Sequence, residues 1–125
     1  MDSRVRALYK IDPRPAGPSQ ARRIIAEELA SRLPASVLDD IKLMVSELVT
    51  SGIVHGARGN DGPVVLDLCV SRKVRCRVRD QGPGLAARVR NGGGWGLQVV
   101  ERLSDRWGME RSGQRTEVWF ELQCA

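Results

Sequence analysis

A long amphipathic segment, residues 37–55, restricts most strongly how this chain can fold. It carries the i, i+3, i+4 stripe of apolar side chains typical of a helix packed on a core, at Val37, Ile41, Met44, Val45, Leu48, Val49 and Ile53. Glu47, Ser51 and His55 stand four residues apart, so they form one polar row beside that stripe. Such a row can hold a ligand against the core, and an ordinary solvated helix surface produces the same pattern.

Length and composition indicate a single globular domain. The chain has 125 residues, of which 42% are hydrophobic and 28% charged. It lacks a run of about 18 apolar residues and the apolar region of a signal peptide, so we expect a cytoplasmic protein without membrane association. The net charge of +5 is compatible with nucleic acid, an acidic protein partner or a phosphate ligand. The three cysteines, Cys69, Cys76 and Cys124, lack metal-ligand spacing, and those within strands are expected to be buried reduced thiols.

The periodicity predicts an α+β fold. Strand and helix patterns follow one another as strand, helix, helix, hairpin, helix and hairpin, over residues 4–11, 20–33, 37–53, 63–80, 97–106 and 107–122. Ser19 and Ser36 are the expected N-caps of the first two helices. We therefore expect a two-layer α/β sandwich with helices on one face of a mostly antiparallel mixed sheet. The domain would span residues 1–125, with residues 1–18 as an N-terminal strand and linker.

Alternation in the second strand of the first hairpin divides its side chains between two faces. The apolar residues share one parity and the arginines the other: Val74, Cys76 and Val78 against Arg75, Arg77 and Arg79. By the same count Asp80 points into the core at the end of the strand. A buried carboxylate is costly unless it has a partner, which could be a backbone amide or a ligand. Thr116 is likewise the polar member of an inward row in the last strand, where a hydroxyl often pairs with nearby backbone.

Two glycine clusters lie between the hairpins. Gln81-Gly82-Pro83-Gly84 comes directly after Asp80, and Gly92-Gly93-Gly94-Trp95-Gly96 precedes the third predicted helix. Bare amides at a helix N-terminus suit an anion such as phosphate, although a plain connection has the same composition. The chain has no Gly-Lys-Ser/Thr after a glycine run, and the cluster does not directly follow a strand. Both the P-loop and the dinucleotide fingerprint are therefore excluded.

Four segments in order resemble the GHKL ATP-binding domain, also called the Bergerat fold. They are Glu47-Leu-Val-Thr-Ser-Gly-Ile-Val-His55, Asp80-Gln-Gly-Pro-Gly84, Gly94-Trp-Gly96-Leu97 and Arg115-Thr116-Glu-Val-Trp-Phe120. The similarity covers about residues 19–122 and is greatest to the anti-sigma-factor serine kinases of the RsbW and SpoIIAB type. That resemblance implies a cytoplasmic regulator that binds ATP and Mg²⁺ and phosphorylates serine on a STAS-domain anti-sigma antagonist. It also implies binding to a sigma factor and a homodimer.

The resemblance also implies roles for individual residues. Glu47 would be the general base that activates the attacking hydroxyl. Asp80 would accept a hydrogen bond from the adenine amino group, and Thr116 would hold adenine through its hydroxyl and a water. The backbone would approach the nucleotide and cradle its phosphates at glycines and their neighbours, namely Gly82, Gly84, Gly93, Gly94, Trp95, Gly96 and Leu97. Arg88 and Arg90 would lie in the lid.

One position departs from the family pattern. Ser51 stands where the family has the asparagine that holds magnesium. A serine hydroxyl can bind Mg²⁺, but its oxygen is about 1.5 Å nearer the backbone, so the ion would shift or a water would fill the gap. A catalytically weakened or inactive partner-binding module is therefore the alternative to an active kinase.

A basic nucleic-acid binder is a third possibility. It would use Arg72, Lys73, Arg75, Arg77 and Arg79. Outside the three tryptophans only Tyr9 and Phe120 could stack on bases, so stacking platforms are scarce and direct binding to nucleic acid is disfavoured. The arginine row is better interpreted as a solvated sheet face or a partner surface.

Overall fold

The structure, a computed structural model, describes residues 5–53, 64–80, 95–112 and 115–123. Within these ranges the chain forms five strands and three helices. Their order is β1 (Val5–Ile11), α1 (Gly17–Leu29), α2 (Ala35–Ser51), β2 (Val64–Val70), β3 (Lys73–Asp80), α3 (Trp95–Leu103), β4 (Arg106–Ser112) and β5 (Arg115–Gln123). In the described ranges no helix is both long and apolar enough to cross a membrane.

The strands form one sheet in the order β1-β2-β3-β5-β4. Each neighbouring pair is antiparallel, so the parallel pairing of a mixed sheet is not found among the described strands. The helices pack as a layer in which α2 contacts both α1 and α3, with α1 beside β1 and α3 beside β4. The expected two-layer α+β architecture, with helices on one face of the sheet, is confirmed.

The core lies between the helices and the inward face of the sheet. Alternation in β3 is as predicted, because Val74, Cys76 and Val78 are fully buried while the arginines between them are partly exposed. Burial, together with the charge of Asp67, raises the pKa of the Cys76 thiol well above its usual range. Cys69 has the opposite parity and is exposed, so the expectation that both strand cysteines are buried is wrong for Cys69.

Both predicted helix caps are wrong by two residues or more. The residue before α1 is Ala16, and α1 begins at Gly17 with a proline in its first turn, where the fixed φ of proline fits a helix. A Cβ at Gly17 would lie 2.3 Å from the Asp12 carbonyl oxygen, so only glycine permits this close approach. The N-cap of α2 is Pro34, whose ψ of 152° is non-helical, and Ser36 already lies in the first turn.

The third predicted helix is too long at its C-terminal end. The Ser104 hydroxyl donates to the Val100 carbonyl at 2.6 Å, and this hydrogen bond closes the last turn of α3. The Asp105 N–H then donates to the Glu121 carbonyl of β5 at 2.9 Å. Trp107, which continues the helical spacing of Leu97 and Leu103, therefore lies in edge strand β4, and it is 37% exposed.

Candidate functional site

The candidate site begins with two polar side chains on adjacent strands. Asp80 is the last residue of β3 and lies directly opposite Thr116 of β5 in the antiparallel register. Both point toward the helical layer, with relative exposures of 1% for Asp80 and 0% for Thr116. Directly opposed side chains have Cβ atoms about 5 Å apart. The predicted inward orientation of both residues is thus confirmed, and the register brings a carboxylate and a hydroxyl side by side.

The end of α2 packs close to Asp80 through Gly52. A Cβ at Gly52 would lie 3.5 Å from the Asp80 Cβ and 3.3 Å from the Val64 Cγ2. A side chain there would press on the start of β2, so glycine allows the helix end to approach Asp80. Gly52 was missed as a site residue in the sequence, although a glycine near the end of an apolar helical pattern is costly and can have a packing or functional reason.

Two members of the predicted polar row lie on α2 itself. Glu47 is half-buried and Ser51 is 1% exposed, one helical turn further on. Residues four apart on a helix are neighbours on its surface, so the two side chains occupy the same flank of α2. The row therefore leads along α2 to its end beside Asp80. The third member, His55, lies outside the described residues.

The phosphate-binding part of the predicted site is only partly described. Trp95 and Gly96 form the first turn of α3, and Leu97 is 8% exposed within the core that α3 shares with α2. The first amides of a helix have no partner in the helix itself and carry its positive dipole end. The other predicted residues of this part lie outside the described residues, namely Gly82, Gly84, Arg88, Arg90, Gly93 and Gly94.

The side chains that are brought together suit a ligand with both donors and acceptors. A buried carboxylate accepts hydrogen bonds, and the neighbouring threonine hydroxyl both donates and accepts, a combination that fits an amino-substituted heterocycle such as adenine. No group of three or more His, Cys, Asp or Glu side chains that could hold a metal ion occurs in the described ranges. Mg²⁺ does not need such a group, because it is commonly bound by few protein oxygens together with waters and phosphates.

Comparison with known proteins finds similarity over most of the chain. Residues 11–122 match the family of the histidine kinase-like ATPase domain. The anti-sigma F factor of Clostridium acetobutylicum is 33% identical over 66 residues, which is 50% of this chain and 46% of that protein. The matched region thus spans about half the length of the curated relative.

Two solved structures have the same fold. One contains the RsbU and RsbW domains of Rv1364c from Mycobacterium tuberculosis, with a TM-score of 0.78 at 20% identity over 95% of this chain and 32% of that chain. The other is the SiaB-SiaC complex from Pseudomonas aeruginosa, with a TM-score of 0.73 at 10% identity. The match covers 93% of this chain and 88% of that chain. At these identities the similarity establishes the architecture.

Proposed function

Since the chain belongs to the histidine kinase-like ATPase (GHKL) domain family, we propose that it binds ATP beside Asp80 and phosphorylates serine on a STAS-domain anti-sigma antagonist. In the alternative state it would bind a sigma factor. The similarity to an anti-sigma F factor supports this assignment within the family. The proposed protein is a cytoplasmic homodimer of one domain, residues 1–125, with an N-terminal strand and linker over residues 1–18.

The observation that carries the proposal is the buried pair of Asp80 and Thr116. Asp80 would accept a hydrogen bond from the adenine amino group, and the Thr116 hydroxyl would complete the contact directly or through a water. Both side chains are almost fully buried at the inward end of neighbouring strands. A carboxylate in that position is stabilised by a donor, and Gly52 lets the end of α2 pack close to Asp80.

Glu47 is proposed as the general base. It is half-buried on the flank of α2 that leads to Asp80, and it would accept the proton of the attacking serine hydroxyl. ATP would supply the transferred phosphoryl group. Phosphoryl transfer depends mainly on positioning and charge stabilisation, so Glu47 would also orient the hydroxyl for attack.

The phosphates are proposed to lie against backbone rather than side chains. Gly82 and Gly84 would allow close backbone approach, and the amides around Gly93, Gly94 and Gly96 would donate to phosphate oxygens. Trp95 and Leu97 would flank these amides in the first turn of α3. Burial of Leu97 supports this part, because it anchors the turn to the core.

Transfer of radiolabelled phosphate from ATP to a STAS-domain protein encoded beside this chain tests the proposal. Glu47→Gln should reduce transfer by about 100-fold or more, the usual contribution of a general base, and should retain ATP binding. Glu27→Gln, at an exposed position of α1, is the matched control and should transfer normally. If the unaltered chain binds the STAS protein but transfers no phosphate, the kinase proposal is wrong.

A partner-binding module with weak or absent catalysis is the second candidate, and the burial of Ser51 favours it. Ser51 is proposed to contact the nucleotide-bound Mg²⁺, yet it is 1% exposed. Its oxygen reaches about 1.5 Å less far from the backbone than that of asparagine. A displaced ion would reduce the transfer rate more than nucleotide affinity.

Ser51→Asn separates the two candidates. We expect this variant to bind ATP more tightly than the unaltered chain when Mg²⁺ is present and equally when it is absent, as measured by calorimetry. Thr50→Asn, at the neighbouring exposed position, should change neither value. Equal or better Mg²⁺-dependent affinity in the unaltered chain would contradict the idea that Ser51 weakens the site.

A further inference from the structure

The sheet has a second face, opposite the helices, which we call the outer face. Its charged side chains are the outward residues of the five strands. The basic ones are Arg6, Lys10, Lys73, Arg75, Arg77, Arg79, Arg106 and Arg115, and the acidic ones are Asp67, Glu110, Glu117 and Glu121. Basic residues are thus twice as numerous as acidic ones among the described residues, and the outer face has a net positive charge.

One half of the outer face is neutralised by its own side chains. Arg79 pairs with Glu117 at 3.0 Å, and Arg75 approaches Glu121 at 3.7 Å. The guanidinium of Arg75 also lies 4.6 Å from the ring centroid of Trp119. Opposite charges and a cation–π contact therefore occupy the surface of β3 and β5, and they hold Arg75 in place.

The other half, over β1, β2 and β3, has basic side chains without such pairing. Arg6 of β1 lies opposite Cys69 of β2, which in turn lies opposite Arg75 of β3. Within the described part of the chain Arg6 and Arg77 form no ion pair. These residues border a concave site of about 140 Å³ together with Asp67. The site is large enough for one carboxylate-bearing side chain.

Asp67 completes the lining of this site, and Leu8 lies next to Asp67 on β1. Asp67 lies opposite Arg77 on one side and opposite Leu8 on the other. Asp67 is 8% exposed and forms part of the floor, whereas Leu8 is 65% exposed. Glu121 offsets the charge of Arg75, and Asp67 offsets only one of the two remaining guanidinium charges, so the site remains positive. Arginine is enriched at the centre of protein interfaces, and Leu8 adds exposed apolar surface beside the arginines.

We propose that the outer face over β1–β3 binds an acidic protein partner. A glutamate or aspartate side chain of the partner would enter the site between Arg6, Arg75 and Arg77, and an apolar side chain would pack on Leu8. Charge-assisted hydrogen bonds from arginine to carboxylate are among the strongest in proteins. Because Arg75 is already held by Trp119 and Glu121, little side-chain entropy would be lost on binding.

Other occupants fit this face less well. In a two-fold dimer the same surface of both copies would meet, which would place basic residues against basic residues. A single-stranded nucleic acid would need aromatic rings for stacking, but Trp119 is covered by Arg75, Phe120 is buried, and the Tyr9 hydroxyl donates to Glu28. The carboxylates interspersed on the outer face would also repel phosphates.

This docking surface goes beyond the proposed kinase function and does not depend on it. Asp80 and Thr116 point to the helical side of the sheet, whereas the docking residues point to the other side. Binding of an acidic partner should therefore be unaffected by ATP-site variants such as Asp80→Asn. Failure of one proposal can be distinguished from failure of the other.

Cys69 provides a reporter inside the site, because it is exposed whereas Cys76 is buried. In a Cys124→Ser background, iodoacetamide should modify Cys69. The probe is a helical peptide with glutamate and leucine at i and i+4, and the control peptide has lysine in place of glutamate. We expect the glutamate peptide alone to slow alkylation of Cys69, and added NaCl to reverse the protection.

Charge-reversal variants complete the experiment. Arg77→Glu should weaken binding of the glutamate peptide by about tenfold or more in fluorescence anisotropy, and Arg6→Glu, at an exposed position, serves as a second variant if Arg77→Glu folds poorly. Arg23→Glu on the exposed side of α1 makes the same charge change and should have no effect.

Three results would overturn the proposal. One is no protection of Cys69 by the glutamate peptide up to about 1 mM, the weakest affinity that is useful for recognition. Another is equal protection by the lysine peptide or by a random-sequence DNA duplex. The third is a change from dimer to monomer in sedimentation when Arg6 or Arg77 is reversed, which would assign this face to a second copy of the chain.

Discussion

Replacement of Asp80 by asparagine gives the sharpest prediction about the nucleotide site. The amide has nearly the same shape as the carboxylate. However, it presents an N–H₂ group or a neutral oxygen where the carboxylate would accept a hydrogen bond from the adenine amino group. A hydrogen bond to a charged group contributes about 1.5–3 kcal/mol. Loss of that contribution corresponds to a fall in ATP affinity of about 10- to 150-fold.

The same substitution should not destabilise the fold. Asp80 is 1% exposed, so its charged form carries a desolvation cost in the folded protein that a neutral amide avoids. We therefore expect the melting temperature of the ligand-free variant to be unchanged or higher. A fall in affinity without a fall in stability would indicate that Asp80 serves ligand binding rather than folding.

Calorimetric titration with ATP and with ADP, each with and without Mg²⁺, measures the effect. Because the adenine contact does not involve the phosphates, both nucleotides should weaken by a similar factor. Asp67→Asn is the matched control, since Asp67 is also nearly buried but lies on the other face of the same sheet. If Asp80→Asn binds ATP within twofold of the unaltered chain, or if Asp67→Asn weakens ATP equally, the assignment of Asp80 is wrong.

Two further predictions concern stability. Gly108→Ala would place a Cβ 2.7 Å from the Trp119 Nε1, so the indole must move. We expect the free energy of unfolding in urea to fall by about 1–3 kcal/mol and the tryptophan fluorescence to change. Unchanged values of both would refute this packing. The hydrogen bond from the Tyr9 hydroxyl to Glu28, at 2.5 Å, is the main reason why the pKa of Tyr9 is raised to about 12. The protonated form is thus favoured in the folded state, so its stabilisation is complete below pH 10 and is lost as the pH rises toward 12. After allowance for solvent screening, Tyr9→Phe should lower the free energy of unfolding by about 1 kcal/mol at neutral pH. The variant should also lose the decline in stability between pH 10 and 12. If the variant shows the same alkaline decline as the unaltered chain, the assignment is wrong.

Local patterns predicted most of the elements of this domain. The alternation of β3 is sufficient to place Asp80 inward, because the period of a strand is two and a buried row of Val74, Cys76 and Val78 leaves no other orientation. The apolar stripe of residues 37–53 was equally informative, since its five central members are fully buried and its two ends are partly buried. The four motif segments were sufficient to indicate the GHKL family, which the match over residues 11–122 confirms.

Element ends were the weakest predictions, and they failed for identifiable reasons. Trp107 fits the helical stripe that begins at Leu97, but the hydrogen bonds of Ser104 and Asp105 end α3 and turn the chain onto β5. The first helix starts before Ser19 because proline fits its first turn and Gly17 can pack against the Asp12 carbonyl. In each case a specific contact outweighed the local preference.

The sequence by itself determined which faces are buried and which family the chain resembles, because periodicity and motif order are properties of neighbouring residues. Only the tertiary structure decided that Thr116 lies opposite Asp80 and that Gly52 brings the end of α2 against Val64 of β2 and Asp80 of β3. It likewise decided which arginines are paired and which border the open site on the outer face. These features depend on strand order and register, which are set by packing between segments far apart in the chain.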